Sequence, residues 1–146
     1  MSDLHPVARE LFALLETRKG QFADRPEHKA VDKYEHALQC ASRAARLAEP
    51  DYYVMMCLFH DVFGGFSAHE HGALAAKALM PFLDRRAVDA CSGHEEAMQL
   101  ILEHPKIRAR NSAGEFVAKY DVPSFNPDYK SLPIEFFKEL SLKVFK

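Results

Sequence analysis

Asp51-Tyr52-Tyr53-Val54-Met55-Met56-Cys57-Leu58-Phe59-His60-Asp61-Val62 holds an unbroken apolar and aromatic run from Tyr53 to Phe59, then a histidine and an aspartate side by side. Polar and apolar residues do not alternate along it. Asp51 is placed to cap a helix from Tyr52 to about Val62 that ends at Gly64-Gly65. A helix that is apolar on every side belongs at the centre of a fold. Its far end delivers His60 and Asp61 into that centre, where an unpaired carboxylate is costly or stays protonated. A cation resolves that cost. Adjacent helical residues point about 100° apart, so the pair straddles two ions better than it chelates one, with Asp61 bridging.

Outward from this helix the periodicity stays helical. Val7, Leu11, Leu14 and Leu15, with Gly20 beyond them, predict a first helix over Pro6 to Arg18 that packs on the core as a lid. Apolar positions at Tyr34, Ala37, Leu38, Ala41, Ala45 and Ala48 predict a second over Val31 to Ala48, stopped by Pro50. As an antiparallel partner of the central helix, it brings His36 beside His60. Ser67 and Glu70 have capping-box spacing for a fourth helix through Leu79, and Asp84 opens another to about Cys91. Gly93 separates that one from a helix over His94 to Glu103, and Ser112 with Glu115 repeats the box for a helix ending near Tyr120. After a turn-rich stretch, Pro133 opens a terminal helix whose Ile134, Phe137, Leu140, Val144 and Phe145 dock on the core. No segment alternates as a strand would. The expectation is one all-α domain over residues 1–146, with a lid helix in 1–20, a core in 31–121 and a docking loop and helix in 122–146.

With 146 residues, 48% hydrophobic and 27% charged, the chain has the length and balance of a single globular core. A net charge of -2 and no long Lys or Arg run argue against a nucleic-acid partner, and no membrane association is read. Cys40, Cys57 and Cys91 form no C-x-x-C pair and suit free thiols in a reducing cytoplasm. Met1 to Gly20 carries Asp3, Glu10 and Glu16 in a helical pattern, so no export signal is read there.

Eight histidines need placing. His5 and His28 are read as solvent-facing, and His104, before Pro105 at a helix end, as peripheral. His36 alone is read equally well as a core histidine bonded to a backbone carbonyl. His69 competes with His71, because a two-residue shift changes which one faces the core. Lys33, Glu35 and Gln39 flank His36 and read first as surface pairs on a helix, second as groups near a ligand or substrate. No residue is read as catalytic.

Glu35-His36-Ala37-Leu38-Gln39 followed by Leu58-Phe59-His60-Asp61 resembles the first two motifs of the HD superfamily. The later order is His71 with Ala75-Ala76 and Leu79-Met80-Pro81, then His94, then Tyr120-Asp121. Together these resemble the HD branch that includes diiron oxygenases cleaving organophosphonates and, more remotely, myo-inositol oxygenase. Ser124-Phe125-Asn126-Pro127-Asp128-Tyr129, with Ser131-Leu132-Pro133 and Glu135-Phe136-Phe137, is similar to the tail of bacterial predicted HD phosphohydrolases. The resemblance runs from about Val31 to the C-terminus.

Carried over, it implies an HD-like helical bundle with a dinuclear metal site between helices. His36, His60, Asp61 and Asp121 would be ligands, His71 and His94 would complete the second ion, and Asp61 would bridge; the Ala75-Ala76 spacing favours His71 over His69. Six N and O donors without thiolate suit iron, Fe2+ or Fe3+, with Mn2+ or another divalent metal as the alternative. The function implied is a diiron oxygenase-like enzyme that uses O2 to cleave a small polar, organophosphonate- or polyol-like metabolite. A metal-dependent phosphohydrolase of the HD type is the alternative, and a non-catalytic metal-stabilised binding module is the third reading. The chain departs from the pattern at Val62-Phe63-Gly64-Gly65, where many HD enzymes place a glycine and then His or Lys near substrate. It departs again at Met98, where the phosphonate oxygenases carry a lysine, and at the tyrosine ahead of the first ligand, for which Phe22 is the nearest aromatic.

Overall fold

Helix α3 (Asp51–Phe59) is the axis of the molecule: every residue from Tyr53 to Phe59 is at most 1% exposed. Burying side chains such as Leu58 or Phe59 contributes about 1.5–3 kcal/mol each. The computed structural model describes residues 3–64, 70–106 and 110–146, which form seven α-helices and no strand. Besides α3 these are α1 (Pro6–Glu16), α2 (Lys33–Arg46), α4 (His71–Leu79), α5 (Arg85–Glu103), α6 (Ser112–Phe116) and α7 (Ile134–Val144). α2 packs along α3, α4 and α6 pack on α5, and α7 covers another side of α3. α1 adds Ala8, Leu11, Phe12 and Leu15 to the same core, with the Phe12 ring edge-on to Phe59. No described helix is long and apolar enough to cross a membrane.

Several element ends differ from expectation for identifiable reasons. Asp51 lies inside α3, because the Pro50 carbonyl already accepts from the Tyr53 and Val54 amides and Pro50 becomes the cap. α3 also stops at Phe59, so His60 and Asp61 occupy the turn that follows, closed by Val62 N–H to Phe59 O and Gly64 N–H to Asp61 O. Gly93 does not divide two helices: α5 runs unbroken from its Asp84 cap to Glu103. A Cβ at Gly93 would lie 3.0 Å from Ala113 Cβ, so this glycine permits the close approach of α6. Asn111, not Ser112, caps α6, its side chain accepting from Gly114 N–H at 2.8 Å. The expected helix to Tyr120 then widens into a π-helical turn over Val117–Asp121, with Val122 N–H reaching the Val117 carbonyl five residues back. Single π turns inside helices are frequent at functional sites. Ser67, of the expected capping box for α4, lies outside the described residues; Glu70 takes the cap position, and its side chain does not cap the helix.

The polar side of α2 is not a solvated face, as was expected of Glu35 and Gln39. It holds the segment 122–132. Gln39 bonds the Asn126 carbonyl and amide, Arg43 the Pro123 carbonyl, and Ser42 accepts from Leu132 N–H. Ser131 donates to Glu35, and Tyr129 lies under the Arg43 guanidinium.

Candidate metal centre

Four helices and the π turn each end in, or carry, one part of a cluster at the bottom of a cavity of about 590 Å³. α2 carries His36, the turn after α3 carries His60 and Asp61, α4 opens with His71, α5 carries His94 and the π turn ends in Asp121. The structure brings all six of these side chains together.

Each ring is oriented through Nδ1. His36 Nδ1 is 2.8 Å from the Ser124 carbonyl, His60 Nδ1 2.7 Å from that of Cys57 and His94 Nδ1 2.8 Å from that of Cys91. A carbonyl only accepts, so these three Nδ1 atoms carry the proton and a neutral ring leaves its Nε2 lone pair bare. His71 reaches the same arrangement differently, with Nδ1 3.0 Å from Glu95 Oε2.

The Nε2 atoms converge on the carboxylates. Asp121 Oδ1 is 2.9 Å from His36 Nε2 and 3.6 Å from His60 Nε2; Asp61 Oδ1 is 2.6 Å from His71 Nε2 and 3.7 Å from His94 Nε2. His71 and His94 point Nε2 at each other across 3.2 Å. Among the described residues three groups have their donor atoms within 4.8 Å of one another: His36, Cys40, His60 and Asp121; His60, Asp61 and His94; and His71, His94 and Glu95. His60 and His94 link them into one row.

Lone pairs and carboxylates facing one another at these distances repel unless protons or cations lie between them. Burial works against charge on His36 and His71, but hydrogen bonds to the Asp121 and Asp61 carboxylates, and the charge of these, outweigh it and raise both pKa values. Burial likewise opposes ionisation of Asp121 and Asp61, and the surrounding imidazoles reverse this, holding both carboxyls well below the usual range. The donor set therefore fits a cation at either end of the row. Cys40 belongs to the inner group by position only: burial pushes its thiol well up, and it donates to the Tyr120 carbonyl.

No protein-family model matches the chain, and no curated protein matches it. The cluster is thus read from its own geometry.

Glu95 is the functional residue that sequence reasoning missed. The signal was present, since His94-Glu95 repeats the His-acid adjacency of His60-Asp61. Its second oxygen accepts from Gly72 N–H at 2.9 Å, tying the start of α4 to α5. A Cβ on Gly72 would lie 2.6 Å from Glu95 Oε1 and 2.7 Å from the Cys91 carbonyl, so only glycine lets α4 come this close. The Ser124 carbonyl that orients His36 left no trace in the side-chain pattern.

Neither His5 nor His28 simply faces solvent. His5 caps α1 by accepting from Val7 N–H, and His28 is buried, stacked on Phe125 at 4.0 Å, with Phe125 in turn stacked on His36 at 3.9 Å. His104 is exposed at the end of α5, in none of the three groups. His69 lies outside the described residues.

Proposed function

We propose that the chain is a dinuclear metalloenzyme of the HD type, with iron as its metal and oxidative cleavage of a small organophosphonate- or polyol-like metabolite as its reaction. The observation that carries this reading is the convergence of four imidazole Nε2 atoms and two carboxylates at the floor of an open cavity. His36, His60 and Asp121 would hold one ion, His71 and His94 the other, with Asp61 between. A donor set of nitrogen and oxygen without thiolate favours iron or manganese over a closed structural zinc site. Two irons held there would supply dioxygen activation and a place for the substrate's oxygen atoms.

The protein's own part follows from the packing. Hydrogen bonds to the carbonyls of Ser124, Cys57 and Cys91 fix three rings with Nε2 inward, and the Glu95 carboxylate, 3.0 Å from Nδ1, faces the fourth by charge. Such outer hydrogen bonds orient ligands and raise their basicity. Phe125 covers His36, and Phe116 stands edge-on to His60 and His94, so the inner end of the row is buried against aromatic rings. Electrostatic interactions there are stronger than in water. The cavity leaves the row accessible to a small molecule, which favours an enzyme over a metal-stabilised binding module.

Elemental analysis of anaerobically purified protein, followed by oxygen-electrode assays on an organophosphonate and polyol panel, tests this. Two irons per chain with substrate-dependent O2 consumption is the expected result. Phosphate release without O2 would replace oxidation with metal-dependent hydrolysis, and a single zinc would overturn the dinuclear reading.

A further inference from the structure

Lys33 is the first residue of α2, where the positive end of the helix dipole disfavours a cation. Helix stability gives no reason for a lysine there. Its two polar neighbours around His36, Glu35 and Gln39, are engaged with the 122–132 segment, whereas Lys33 lines the cavity above the cluster. Its ammonium makes no ion pair with any described carboxylate.

The ammonium lies beside Gly64. A Cβ built there would meet Lys33 Nζ at 3.2 Å and Asp61 Oδ1 at 3.9 Å. Nζ and that carboxylate oxygen therefore flank one small space, farther apart than the 4.0 Å of an ion pair and, with 3.2 Å and 3.9 Å from one shared point, no more than 7.1 Å apart. Two hydrogen-bond or metal-ligand lengths span such a gap, each about 2–3 Å. The chain carries no side chain at position 64 and an uncharged one at Met98, another residue of the cavity wall. Lys33 brings positive charge to the same cavity from a different element.

We propose that Lys33 binds an anionic oxygen group of the substrate over the Asp61 end of the row, and that Gly64 is bare to leave that space. The ligand class is a small oxyanion: phosphate, phosphonate or carboxylate. This rests on the dinuclear reading, because Asp61, Glu95 and Glu96 on the cavity wall repel an anion unless bound cations offset them.

The test is calorimetric titration of inorganic phosphate, and separately of acetate, into metal-loaded wild type, Lys33→Met, Lys33→Gln, Lys33→Arg and Lys77→Met, with metal content measured on every sample. Lys77, on the exposed side of α4, is the control. The expected result is phosphate binding weakened roughly tenfold or more in both neutral Lys33 variants, as for loss of a charge-assisted hydrogen bond. Lys33→Arg should recover most of the affinity, Lys77→Met should match wild type, and metal content should be constant throughout. Lys33→Gln keeps part of the stem and guards against a folding defect in Lys33→Met. Phosphate and acetate both weakened supports a general oxyanion site; phosphate alone narrows it to tetrahedral anions. Wild-type affinity for both anions in the neutral variants at full metal content overturns the role of Lys33. A wild type that takes up no metal overturns the dinuclear reading, and this proposal with it.

Discussion

His36, His60 and Asp121 keep at most 3% side-chain exposure, whereas His71 and Asp61 keep 15% and 19%. The two ends of the row also differ in what holds them. At the inner end the rings are fixed by main-chain carbonyls and sealed by Phe125 and Phe116. At the outer end His71 is fixed by a carboxylate side chain on a helix that itself must approach closely through Gly72. A backbone carbonyl in a packed core has nowhere to move, so the inner end is pre-set. At the outer end His94 is still fixed by the Cys91 carbonyl, but His71 depends on one carboxylate and one helix contact, and this is the end that Lys33 overlooks.

The largest test of this contrast is Asp61→Ala, which removes the carboxylate proposed to bridge the two ions; under that reading both ions should be lost from the purified protein in elemental analysis. Loss of one ion alone would show that the two ends do not share it. Glu95→Gln is next. It should weaken the more loosely held ion by roughly 10- to 100-fold in a chelator competition titration and leave the tighter step unchanged; equal weakening of both would erase the distinction drawn here. Gly72→Ala should lower stability by about 1–3 kcal/mol, as overpacking does, read as a fall in the thermal midpoint, with a preferential loss of the weaker ion. The smallest effect is expected from His104→Ala, at the exposed end of α5: unchanged metal content, and a stability change within about 0.5 kcal/mol by denaturant unfolding.

The helical nature of the fold was readable because the run from Tyr53 to Phe59 leaves no other way to bury itself. Of the six converging side chains, His60 and Asp61 were readable from the apolar helix that delivers them and His36 from its antiparallel neighbour, whereas His71, His94 and Asp121 were reached through the resemblance to the HD motifs. What was not readable lay in the backbone. The π turn that aims Asp121 has no composition signature, and Gly93 looked like a helix breaker because its partner, Ala113, is brought close only by the tertiary fold. Gln39 and Glu35 looked like solvated residues because the strand of loop that covers them arrives from 87 to 96 positions away. Local pattern carries periodicity well and such long-range polar pairing poorly.

The brace along α2 sets an order of events during synthesis. The oxygen that orients His36 belongs to a residue 88 positions further along, and Asp121 emerges almost as late. A ribosome that has released α1 to α3 and the turn after α3 has therefore produced His36 without the carbonyl that orients it, and His60, already fixed by Cys57, without the inner carboxylate. Under the reading proposed above, stable iron uptake at the inner position waits until residues 121–132 have folded back, so loading follows closure of this loop and not the first appearance of the histidines. Contacts of such long sequence separation form late and slowly.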